Sequence, residues 1–107
     1  MSFKSFHSGE LQIGDLIVVG DRYLHLGFYL GTGRNTVQYY TPTQLVWWLD
    51  KCSTDPLFRK SYHKPRQVCY IKADPHRVAK FNPDCLVGEE LERYNKSLEA
   101  LKILNIK

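Results

Sequence analysis

Cysteine, methionine and long apolar runs are all scarce in this chain of 107 residues. The three cysteines, Cys52, Cys69 and Cys85, are odd in number and irregularly spaced. That excludes a disulfide framework and predicts a reducing, cytoplasmic setting. No stretch approaches the roughly 20 apolar residues of a membrane helix, so no membrane partner is expected. Residues 1–10 lack an apolar core and a small-residue cleavage site, which argues against a secretory leader. His7, His25, His63 and His76 show no paired-ligand spacing among themselves or with the cysteines, so neither a metal nor another cofactor is expected. Internal repeats, low-complexity runs and interdomain linkers are absent too.

What is present describes one globular domain spanning residues 1–107. A hydrophobic content of 43% beside 24% charged residues suffices to enclose a single modest core. The charge is unevenly distributed. Residues 51–80 hold eight Lys/Arg against only Asp55 and Asp74, whereas the remainder holds seven against nine acids. The net charge of +4 therefore belongs to one middle segment.

Residues 1–10 read as a short lead-in. After the turn at Gly14-Asp15, residues 16–19 (Leu-Ile-Val-Val) form a β-branched strand. The next strand alternates, with Leu24, Leu26, Phe28 and Leu30 on a core face. Tyr23, His25, Gly27 and Tyr29 occupy the opposite face, a platform for a ligand or partner. Residues 31–35 read as a hairpin loop and 36–40 as a third strand with Val37 and Tyr39 inward.

Thr41-Pro42-Thr43-Gln44 is a helix start: Thr41 caps, Pro42 suits the first position, and Gln44 completes a capping box. Leu45, Trp48, Leu49 and Cys52 then give one apolar stripe of an inserted helix at about 42–52. Trp47 lies off that stripe, free to meet a neighbouring loop or a partner. A long basic loop follows at 53–66. Residues 68–72 and 77–81 read as a hairpin across Ala73-Asp74-Pro75. A final amphipathic helix at 87–104 carries Leu91, Tyr94, Leu98 and Leu101 with Leu104 near its end, and Glu89 and Glu90 favour its dipole. The expected fold is α+β: a small SH3-like antiparallel barrel of about five strands within 11–81, crossed by the terminal helix.

Gly14-Asp15-Leu16-Ile17 followed by His25-Leu26-Gly27-Phe28-Tyr29-Leu30-Gly31 resembles the strand pair of NlpC/P60-type cysteine peptidases. It also resembles that of their circularly permuted relatives of the lecithin:retinol acyltransferase type. The resemblance covers about a fifth of the chain. It implies a hydrolase or acyltransferase in which His25 is the base and the nucleophile is a later cysteine, with Cys85 the best placed. Asp84, Glu89 and Glu90 surround that position with negative charge, which opposes a thiolate. Cys85 also reads as a small buried packing residue.

A different chemistry lies in the basic middle. Arg59, Lys60, Lys64 and Arg66 can neutralise phosphates, and Phe58, Tyr62 and His63 can stack on unpaired bases. Lys72, Arg77 and Lys80 extend that footprint if they share one hairpin. No RNP, KH-type Gly-x-x-Gly or helix-turn-helix signature is present, so the expected partner is nucleic acid bound without sequence preference, or a nucleoprotein complex. The same segment also reads as a solvated loop pinned by Phe58 and Tyr62. A third class is a small adaptor or inhibitor that binds protein through Trp47 and the Tyr23, His25, Tyr29 face. The compact format suits a phage or other mobile-element protein.

Overall fold

Strand alternation places two cores rather than one. The computed structural model describes residues 11–20, 23–65, 67–72 and 77–106. It is an α+β fold with a five-stranded antiparallel open sheet and three helices. The strands are β1 (Leu16–Gly20), β2 (Leu24–Gly33), β3 (Thr36–Tyr40), β4 (Cys69–Lys72) and β5 (Val78–Lys80). The helices are α1 (Pro42–Thr54), α2 (Phe58–Ser61) and α3 (Gly88–Ile103), with a 3₁₀ turn at Pro83–Cys85. The strand order is β4-β3-β2-β1-β5.

Leu16 and Phe28 turn to the helical layer, where Tyr40, Leu45, Trp48, Leu49, Leu86, Ala100 and Leu101 complete one core. Ile17, Val19, Tyr29, Val37, Tyr39, Ile71 and Val78 form the second core on the other side. Every strand supplies that second face. Tyr29 is therefore 4% exposed, and the platform expected around it is closed at its centre. Tyr23 is exposed and His25 half-buried. Leu24, expected in the core, is 72% exposed at the start of its strand, where the helices no longer cover it.

Residues 68–72 and 77–81 do not form a hairpin. β4 pairs with β3 and β5 with β1, so the two strands are the opposite edges of the sheet. No pairing between them closes the sheet among the described residues, and the barrel expected from the sequence is an open sheet here. The turn at 73–75 and the lead-in at 1–10 lie outside the described residues. The predicted loop at 31–35 is also shorter: β2 runs on through Gly33 and only Arg34 and Asn35 turn the chain, Asn35 with φ 58°. Its register slips by one residue between Tyr29 and Gly31, a bulge that Gly31 accommodates at φ 122°.

The start of α1 is as the sequence predicts. Thr41 Oγ1 accepts from the Gln44 amide at 3.2 Å, and Gln44 Oε1 accepts from the Thr41 amide at 2.9 Å. The helix extends to Thr54, two residues past the expected end, and Asp55 carries the C-cap. Leu45, Trp48 and Leu49 are buried and Cys52 packs against them. On α3 Ser97, Ala100 and Leu101 are buried and Tyr94 and Leu98 half-buried, with half-buried Leu104 just past its end, while Leu91 is exposed. α3 packs against α1, small Ser97 and Ala100 on α3 are both fully buried, and Ser97 Oγ donates to the Arg93 carbonyl at 2.7 Å. Replacing Thr41 with alanine removes the two hydrogen bonds of its Oγ1, which accepts from the Gln44 amide and donates to Gln44 Oε1 at 3.2 Å, and keeps the bond from the Thr41 amide. The expected loss is about 1 kcal/mol in chemical denaturation. A loss of only a few tenths would show that the cap is dispensable once Leu45 and Trp48 are packed.

Candidate nucleic-acid interface

Trp47 and Lys51 are one helical turn apart on the side of α1 that turns away from the core. The Lys51 ammonium lies 5.8 Å from the centre of the Trp47 ring, a contact worth about 0.5–1 kcal/mol at an exposed site. Pro56 follows the C-cap of α1 and prevents its continuation. Asp55 then organises the reversal: its carboxylate accepts from the Leu57 amide at 3.0 Å and its carbonyl from the Phe58 amide at 3.1 Å. The segment expected as a loop at 53–66 is thus partly helical, and α2 brings three rings together. Phe58 stands edge-on to Trp47 at 5.7 Å and lies 4.8 Å from Tyr62.

The indole N–H of buried Trp48 donates to the Tyr62 carbonyl at 3.1 Å, tying the end of this segment to the core. Trp47, Trp48, Phe58, Tyr62 and Lys64 enclose a cleft of about 100 Å³. Trp47 remains 48% and Tyr62 45% exposed. Arg59, Lys60, His63 and Lys64 are all exposed around these rings. Burial pushes the Cys52 thiol up, and the Arg59 charge pulls it partly back. Lys51, Arg59, Lys60 and Lys64 make no ion pair with a described residue.

Trp47 and the basic segment, assigned to separate roles from sequence, therefore form one aromatic and cationic ledge. Lys51 belongs to it and was missed, although its spacing from Trp47 was the signal. Arg66 lies outside the described residues. The other cations are elsewhere: Lys72 is on the β4 edge, and Arg77 precedes β5 at the opposite edge. Lys80, in β5, pairs with Asp15 at 3.7 Å. A single extended hairpin footprint does not exist.

His25 and Cys85 make no hydrogen bond with each other. His25 Nε2 is 2.9 Å from the Tyr39 hydroxyl and its Nδ1 is 3.4 Å from the Tyr23 carbonyl. Cys85 is exposed rather than the buried packing residue expected, because it ends the 3₁₀ turn, with Leu86 and Val87 separating it from α3. Cys69 donates to Gln44 Oε1 at 3.5 Å, and burial raises its thiol above the usual range. A groove of about 520 Å³ runs between the β1–β2 face, the start of α1 and α3. His25, Leu24, Leu26, Phe81 and Tyr94 line it with Glu90 and Arg93, whereas Cys85 does not.

Among the described residues no three metal-ligating side chains cluster, and no helix is long and apolar enough to cross a membrane. No protein-family model matches the chain, and the curated proteins and solved structures give no match either.

Proposed function

We propose that this chain is a non-enzymatic accessory or regulatory protein of the cytoplasm that binds nucleic acid without sequence preference. The observation that carries this reading is the ledge formed by Trp47, Phe58 and Tyr62 among Lys51, Arg59, Lys60 and Lys64. Four cations without a carboxylate partner among the described residues, beside exposed rings, match a phosphate backbone and its bases. Three free cysteines suit a reducing compartment. We read the sheet as an SH3-like barrel left open, because β1 to β4 run as a meander and β5 returns to the free edge of β1. The hydrolase reading needs His25 to act on Cys85, and the Tyr39 hydroxyl already engages His25 Nε2.

The triple variant Arg59→Ala/Lys60→Ala/Lys64→Ala tests the reading by titration with labelled oligonucleotides at several salt concentrations. Each lost phosphate contact lowers the slope of log affinity against log salt by about 0.7–0.9. The variant is expected to lose about 2–3 in that slope. An unchanged slope and affinity would sink the proposal.

A further inference from the structure

We infer that the ledge takes a single strand, with an unpaired base inserted at the Trp47–Phe58–Tyr62 cleft and the adjoining phosphates on Lys51 and Lys64. This rests on the nucleic-acid reading above and names the form of its ligand. The cleft is lined by four aromatic residues, Trp47, Trp48, Phe58 and Tyr62, and by one cationic residue, Lys64. A duplex presents phosphates and sugars to such a surface, and its bases stay stacked inside. It would satisfy the lysines and leave the rings uncovered. An unpaired base offers a flat π-face that covers them.

The rings are also held ready. Phe58 contacts both of the other rings, and the Tyr62 amide donates to the Phe58 carbonyl at 2.8 Å. The Trp48 indole fixes the Tyr62 backbone. Little ordering is left for binding to impose, which favours affinity. A base seated in the cleft against Trp47 competes with Lys51 for the indole, and an ammonium released from the ring is then free for the base's own phosphate. The cation that covers the indole in the free protein becomes a phosphate contact in the complex. Leu57, 68% exposed at the head of α2, extends the apolar margin for a neighbouring base.

Three ligands of equal length separate stacking from charge: an oligothymidine of about 12 nucleotides, an abasic strand with the same phosphates, and a duplex. Tryptophan fluorescence is the second readout, because Trp47 is half-exposed while Trp48 is 1% exposed. Oligothymidine is expected to quench the emission and to bind about 5- to 150-fold more tightly than the abasic strand. Trp47→Ala should lose a similar factor, and Trp47→Phe should recover part of it while thermal melting stays unchanged. Equal affinity for the oligothymidine and abasic strands, without quenching, would overturn the inference. If that binding is still salt-sensitive, the broader nucleic-acid reading stands. No binding of any of the three at low salt would bring down both.

Discussion

Replacing Trp48 with alanine is expected to remove about 3–5 kcal/mol of stability. The indole is almost fully buried in the layer shared by α1, the sheet and α3. Its loss leaves a cavity that Leu45, Leu49 and Ala100, all buried, cannot collapse to fill. A second effect adds to the cavity. The Tyr62 carbonyl loses the donor that ties the segment after α2 to the core, at about 0.5–1.5 kcal/mol for a neutral hydrogen bond. Against a total of about 5–15 kcal/mol for a typical domain, the variant should unfold at markedly lower denaturant or temperature. Trp48→Phe separates the two effects, because it restores most of the ring volume without the N–H. It should be the more stable of the two, yet still exchange its amides at residues 58–62 faster than the parent. Circular dichroism melts and hydrogen exchange read these outcomes. A Trp48→Ala loss below about 1 kcal/mol would mean that the helical layer is not organised around this side chain.

The segment around Trp48 was also the most legible part of the sequence, and the reason is its locality. The capping box, Pro42 at the first helical position and the Leu45-Trp48-Leu49 spacing all act within one or two turns. Alternation in β2 likewise assigned Phe28 and Tyr29 to opposite faces correctly. It could not reveal that the second face is covered, because that depends on residues from the other four strands. Tyr29 was therefore read as accessible when it is core. Pairing was illegible at the other end of the chain for the same reason. Two short β-rich runs separated by Ala73-Asp74-Pro75 look like a hairpin locally, yet each finds its partner across the sheet, at β3 and at β1.

The ledge shows the same division. Aromatic and basic residues at 58–64 were visible, but only the fold sets Phe58 against Trp47, eleven positions earlier in the chain. Ser97 and Ala100 escaped the reading of α3 because pattern recognition looks for large apolar residues. Close helix approach selects small ones.

A methyl group added at Gly27 tests the second core as Trp48→Ala tests the first. Gly27 is buried in the middle of β2, and Tyr39 on β3 lies diagonally across from it. A Cβ built there would sit 2.6 Å from Tyr39 Cδ2 and 3.1 Å from its Cγ. The ring has little freedom to retreat: it is 6% exposed, and its hydroxyl is engaged by His25. Gly27→Ala should therefore cost about 1–3 kcal/mol, the range for overpacking a tight core. It does so although alanine is otherwise better than glycine within a strand by about 0.5–1 kcal/mol. That opposition gives the prediction its sign test. In a Tyr39→Ala background the ring is gone, only the Cβ at 3.3 Å remains of the three nearest atoms, and Gly27→Ala should become close to neutral. The double-mutant cycle is then expected to show a coupling of at least about 1 kcal/mol. Independent, additive costs for the two changes would place the strain of Gly27→Ala somewhere other than the Tyr39 ring.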